Sequence, residues 1–368
     1  MAEKAYKYRI YPNKKQKELI HKTFGCTRFV YNYYFNKRIE MYENEKITFT
    51  YNMCSKDLTQ LKKEFEWLKE PDKDSLQKCL KDLDMAYQKF FKEHTGYPKF
   101  KSKKNRYQSY RTSCTNNNIR FENKKIKLPK LGLVKTRDKQ IPQGRILNAT
   151  ISQEPNGHYY CSLCCTDVEF QQLPKTNQNI GIDLGLVDFA ILSDGTKIEN
   201  PRFYEKSEDK LAKLQRELSR KTIGSNRWNK ARIKVANLQK HISNQRNDFL
   251  QKLTTEMVKT CDVIAIEDLD IKSMKETDST IRNKRVGDVS WSEFRRMLTY
   301  KTQWYGKKLS VIDRYYPSSQ ICHCCGHRDG KKLEDIRFWI CPKCNSELDR
   351  DINAAINILN EGLRIINV

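Results

Sequence analysis

The hydrophobic positions change their period several times along the chain, and each change marks an element. Residues 4–11, KAYKYRIY, alternate as a strand does, and Pro12 closes the run. From Lys14 to about Phe91 the spacing turns helical. Leu19, Ile20, Phe24, Phe29, Val30, Tyr33 and Tyr34 fall on one face, and Leu58, Leu61, Phe65 and Leu68 repeat the pattern. Pro71 interrupts it. Ser75 is a candidate cap for the next helix, whose apolar side carries Leu76, Leu80, Leu83, Tyr87, Phe90 and Phe91, and Gly96 and Pro98 end the helical stretch. Short strand-like pieces at 119–122, 125–128, 145–153 and 159–170 predict a small β-barrel. With residues 1–12 paired into the barrel of 106–172, residues 13–105 become a helical insertion.

Composition loosens around Pro174–Asn177, where the main boundary is expected. Beyond it, Ile180 and Ile182 lead to Asp183, Gly185 permits a tight backbone, and Phe189 to Leu192 return before Asp194-Gly195 turns again. Residues 206–222 and 226–260 read as two long helices broken at Gly224-Ser225. Val263 to Ile266 form a buried strand with Glu267 at its end. An amphipathic helix over 291–306 and a strand over 309–312 follow. Ile352, Ala355, Ile356 and Leu359 recur at helical spacing, which puts Asp351 in the first turn of a last helix.

Charge narrows the partners. Lys+Arg number 70 against 45 Asp+Glu, a net +25, and the natural partner of such an excess is a polyanion. The longest apolar runs are only strand-sized, and the first residues have no apolar signal region, so nucleic acid is favoured over a membrane and a cytoplasmic location is expected. Residues 101–150 hold 14 Lys+Arg against 2 acidic residues, with Tyr107, Tyr110 and Phe121 interleaved, a mixture suited to phosphate contacts and base stacking. Thirteen cysteines, an odd number and mostly scattered, fit a reducing compartment.

Two groups of residues carry chemistry. Cys322-x-x-Cys325 and Cys341-x-x-Cys344, separated by residues 326–340, have the spacing of a structural zinc site. Cys324 is a bystander. The other group is Asp183 after one strand, Glu267 after a later strand and Asp351 at the start of the last helix. Asp351 taken alone reads better as a helix cap than as a catalytic acid. Together the three suit phosphodiester hydrolysis, in which two Mg²⁺ ions about 4 Å apart activate water and stabilise the leaving oxygen.

GIDLG with Asp183, IAIEDL with Glu267, SSQICHCCG and CPKCNSELDRDINAAINI resemble the split RuvC nuclease domain of the transposon-encoded TnpB family, relatives of type V CRISPR effectors. YRIYPNKKQKELI, FVYNYY and LKDLDMAYQKFF resemble the family's N-terminal half. The resemblance implies a multidomain α/β plus β-barrel protein. A wedge barrel (1–12 and 106–172) would hold an inserted helical recognition lobe (13–105). An RNase H-like RuvC core (173–368) would carry a zinc-ribbon insertion (315–349). It implies an RNA-guided DNA endonuclease that acts on double-stranded target DNA with a guide RNA and reads a short motif beside the target; a monomer is the favoured state, though the sequence leaves stoichiometry open. Asp183, Glu267 and Asp351 match the family's catalytic, magnesium-binding acids, and Cys322, Cys325, Cys341 and Cys344 its zinc ligands. Gln77, with Ser75 and Lys78 beside it, resembles its motif-reading position. A cleavage-dead RNA-guided regulator would lack one of the acids, and a transposase would join DNA ends without RNA.

Overall fold

The computed structural model describes residues 2–275, 279–333 and 336–366, which form two compact units, 1–169 and 170–368. In the first, strand β1 (Ala2–Tyr11) is followed by three helices, α1 (Lys14–Glu45), α2 (Tyr51–Glu64) and α3 (Lys73–Glu93). Asn13 starts α1 through a reciprocal capping box with Gln16. Val30, Tyr34, Leu58, Leu76, Leu80 and Leu83 form the shared core of the three helices, as the helical spacing requires. Asp72, not Ser75, occupies the cap position of α3. Ser75 lies inside the first turn, with its hydroxyl donating to the Asp72 carbonyl.

The strands β2 (Gln108–Ser113), β3 (Arg120–Glu122), β4 (Lys125–Leu128), β5 (Gly132–Thr136), β6 (Arg145–Gln153) and β7 (Tyr159–Val168) join β1 in a seven-stranded antiparallel sheet ordered β2-β6-β7-β1-β5-β4-β3. The expected barrel does not close. The outer strands β2 and β3 are not paired with each other, and α3 and its cap contact β2. Asp72 accepts from the Thr112 hydroxyl, Asp74 from the Ser113 N–H and Asp82 from Arg111.

The second unit is built on a five-stranded sheet, β10-β9-β8-β11-β12. Its strands are β8 (Asn179–Leu184), β9 (Asp188–Leu192), β10 (Lys197–Glu199), β11 (Val263–Glu267) and β12 (Lys308–Ile312). β8, β11 and β12 are parallel, while β9 and β10 run antiparallel at one edge. Parallel neighbours need long crossovers. The first is supplied by α4 (Glu208–Ser219) and α5 (Asn226–Thr260). The second is supplied by α6 (Ile271–Lys275), α7 (Thr280–Val289) and α8 (Trp291–Tyr305). Ile182, Phe189, Leu250, Ile264, Ile266, Phe294 and Leu298 form the core between sheet and helices. A hairpin, β13 (Phe338–Ile340) and β14 (Glu347–Asp349), precedes the last helix, α9 (Arg350–Ile366).

The other face of the sheet is covered by α9, and two glycines set its distance. A Cβ on Gly181 of β8 would collide with the Ala355 carbonyl oxygen and the Leu359 nitrogen of α9, and one on Gly362 would meet Ala265 of β11. We therefore expect Gly181→Ala to push the helix off the sheet and cost about 2–3 kcal/mol, measured by denaturant unfolding.

Lys301 of α8 is buried, donating to the Gln251 carbonyl and the Thr254 and Thr255 hydroxyls, and burial pushes its pKa down to about 8. Between that value and the ordinary lysine value the unfolded chain binds more protons, so this residue's contribution to stability rises with pH. Lys301→Met should remove that rise, so the wild type gains on the variant as pH climbs from about 8 to about 10.5 in parallel urea titrations.

Candidate active site and metal centre

The register of the parallel strands brings two of the acids together. Ile182 pairs with Ile266, so the next residues, Asp183 and Glu267, stand side by side at the carboxyl ends of β8 and β11. Side chains two apart in a strand share a face. Gly181 and Ala265 face α9, and so therefore do Asp183 and Glu267. On α9, Asp351 lies one turn, about 6 Å, before Ala355, the residue seated on Gly181. The helix thus carries Asp351 back toward the strand ends.

Their electrostatics bear this out. Burial pushes the Asp183 pKa up to about 8, and the negative charges of Glu267 and then Asp351 add to it, while Arg350 and Arg337 oppose them. Burial also raises Glu267, against a hydrogen bond donated by the Ser318 hydroxyl. Asp351, 8% exposed, is held by Arg337 on one oxygen and by Arg350 Nε at 3.4 Å on the other. The three carboxylates are not gathered as tightly as the thiols described next, whose ligand atoms form the one group within 4.8 Å among the described residues. Asp183, Glu267 and Asp351 are hard oxygen donors, the kind that Mg²⁺ takes.

Cys322, Cys325, Cys341 and Cys344 do converge. Cys322 and Cys344 Sγ are 3.6 Å apart, as are Cys325 and Cys341. Tetrahedral Zn–S bonds of about 2.3 Å give sulfur–sulfur edges of about 3.8 Å, so the four thiols fit one zinc ion. Each pair sits on a matching turn. The Gly326 N–H donates to the Cys322 carbonyl and the Asn345 N–H to that of Cys341, both at 2.9 Å, with positive φ at Gly326 and Asn345. Trp339 and Leu348 pack against the cluster.

Several residues at this end of the sheet escape a reading of the sequence. The expected apolar face of α9 is rotated, because Asn353 and Asn357 are buried and dock the first cysteine turn. Asn353 accepts from the His323 N–H and donates to the Ile321 carbonyl, and Asn357 donates to the Ser318 and Ile321 carbonyls. Two asparagines four apart in a helix otherwise lined by Ile and Ala were the available signal. Arg337 and Ser318 carried none. In the other unit, Gln77 accepts from Tyr51 and Ser55, Lys78 is half-buried, and Ser75 is buried and turned inward.

Known proteins match along the chain. Family descriptions assign a helix-turn-helix domain to residues 1–46, a probable transposase to 162–278 and a Cas12f1-like TNB domain to 291–358. Here the first of these is a strand and one long helix. A candidate RNA-guided DNA endonuclease of Streptomyces pristinaespiralis is 37% identical over 98% of this chain and 90% of its own length. A second, from Escherichia coli K12, is 32% identical over 98% and 93%. A chain of the Cas12f1–sgRNA–target DNA complex superposes with a TM-score of 0.53 at 12% identity, covering 98% of this chain and 99% of that one, a likeness of fold. Fold and site define a mixed α/β protein with a four-thiol group fit for a metal ion and a set of partly buried acids. With relatives this similar over nearly its whole length, the chain belongs to the TnpB family.

We expect one zinc ion per purified chain by elemental analysis. Cys341→Ser should lose it and melt at lower temperature, since a missing thiolate leaves the tetrahedron incomplete.

Proposed function

We propose that the chain is an RNA-guided DNA endonuclease. It would bind a structured guide RNA, recognise a short motif beside the target and hydrolyse target DNA. What supports this reading is that Asp183 lies near enough to Glu267 and Asp351 to feel their charge at one end of the parallel sheet, in a chain matched nearly end to end by relatives that bear this activity in their names. In this reading residues 173–368 are the RuvC nuclease, with 315–349 as its zinc-ribbon insertion. Residues 1–12 and 106–172 form the wedge domain, and 13–105 the recognition lobe.

Asp183, Glu267 and Asp351 would hold two Mg²⁺ ions, which when bound supply an activated water and a counter-charge for the leaving oxygen. The chain's own part is positional. Ser318 orients Glu267 through its hydroxyl, while Arg337 and Arg350 fix the Asp351 carboxylate before the site is filled. Gln77, held by Tyr51 and Ser55, is the proposed motif-reading group, with Lys78 and Ser75 as the neighbouring candidates on α3.

The test is guided cleavage of a target plasmid in Mg²⁺, using the chain with the RNA that copurifies from its host. Asp183→Ala should lower cutting by about a thousandfold or more, with nucleic-acid binding kept. Because the variant relieves a crowded carboxylate, it should be at least as stable as the wild type in EDTA, which separates lost chemistry from lost fold. Normal cutting by this variant would reject the assignment. Strand-transfer products made without RNA would favour the transposase that the description of residues 162–278 names.

A further inference from the structure

The first unit contains a cavity of about 400 Å³ between α1, α3, β2 and the loop that precedes β2. That size lies within the range of small-molecule sites, about 300–1,000 Å³. Phe24 and Tyr110, both buried, meet edge-to-face at 5.8 Å in its wall, while Phe100 and Tyr107, 56% and 48% exposed, stand nearer solvent. Three cations line it, Arg28, Lys101 and Arg111, against one acid, Asp82, which Arg111 already neutralises. Arg28 directs one of its five N–H donors to Gln108 Oε1 at 3.2 Å. The Lys101 ammonium lies 4.0 Å from the centre of the Tyr31 ring, a contact that leaves its charge without a carboxylate.

The rim is fixed in advance. The Asn32 side chain bonds both the N–H and the carbonyl of Lys101, at 2.8 and 2.9 Å, and Gln108 donates to the carbonyls of Ser102 and Asn105. A preformed pocket loses less to ordering when it is filled. Its chemistry excludes two broad classes of ligand. The cations disfavour amines, and an apolar ligand would bury them without a counter-charge. What fits is a flat aromatic group joined to an anion.

We propose that this cavity takes a single unstacked nucleotide of the bound nucleic acid. The base lies against the aromatic wall, and the phosphate lies at Arg28 and Lys101. Aromatic side chains hold splayed bases of single-stranded nucleic acid in this way. The site is separate from Gln77, which lies on the side of α3 that meets Tyr51 and Ser55 of α2, whereas Ser75, Cys79 and Asp82 line the cavity.

The inference rests on the nucleic-acid reading above. Its test is equilibrium dialysis of the full chain, stripped of RNA, against adenosine 5′-monophosphate. The competitors are deoxyadenosine 5′-monophosphate, adenosine and inorganic phosphate. The expected result is saturable binding of one nucleotide per chain, with adenosine or phosphate alone weaker by about tenfold or more. Tyr107→Ala, at an exposed position, and Arg28→Gln should each weaken it by about tenfold at unchanged melting temperature. A preference for the ribonucleotide assigns the site to RNA, and the reverse to DNA. Absence of saturable binding, equal competition by phosphate alone, or binding untouched by both variants overturns the proposal. A chain that cuts guided DNA but binds no nucleotide refutes the cavity alone. One that binds the nucleotide but cuts nothing refutes the nuclease reading alone.

Discussion

The contact of α9 with the parallel strands is what the candidate site depends on. Gly181 and Gly362 let helix backbone approach strand backbone more closely than any side chain would allow. Because Asp183 follows Gly181 by two residues and Glu267 follows Ala265 by two, the faces used for that packing are the faces that carry the acids. Packing and chemistry are therefore set by one geometric choice. Its electrostatic consequence is repulsion, since a carboxyl group pushed up to about 8 by burial and by two neighbouring acids is held in an environment that disfavours its charge. Tight apolar packing below the site is what sustains that unfavourable cluster above it.

The thiol cluster is part of the same construction. The segment entering its first turn gives Ser318 to Glu267, and its backbone is bound by Asn353 and Asn357 of α9. The strand entering the second pair, β13, follows Arg337, whose guanidinium reaches Asp351. A four-sulfur centre that lies outside the acids thus fixes the surroundings of two of them. Buried asparagines that bond backbone carbonyls hold an orientation that apolar contacts alone would leave free to slide, because hydrogen bonds are directional and packing is not.

Much of this was legible because it is local. The runs ending in Asp183 and Glu267, the cysteine spacing and the periodicity before Leu359 each lie within a few residues of one another, and the elements they predict are present with ends shifted by a residue or two. What was not legible depends on contacts between distant segments. The seven-stranded sheet stays open, and Asp72, Asp74 and Asp82, at the cap and in the body of α3, bond residues of β2, a contact that nothing in the strands announces. The rotated face of α9 has the same origin: a second neighbour, the cysteine turn, competes with the sheet for its buried side. Ser75 has the composition of a cap, yet the chain enters the helix one turn early, at Asp72. The partners of Gln77 lie 22 and 26 residues away, beyond the reach of any periodicity argument.

A cluster of acids inside a chain of net charge +25 has a further consequence. The long-range field of the protein attracts a polyanion, but at the candidate site the local field has the opposite sign, so a phosphate that is drawn in would be repelled over the last few ångströms. Arg337 and Arg350, both bonding the Asp351 carboxylate, oppose that local repulsion. On the proposed reading, small cations held by the acid cluster would offset that rejection and let a phosphate approach. The basic surface can then be large without the site acting on every nucleic acid that the protein meets. Binding and reaction are governed by different charges in different parts of the chain, and this separation lets a weakly selective polyanion surface coexist with a selective chemical step.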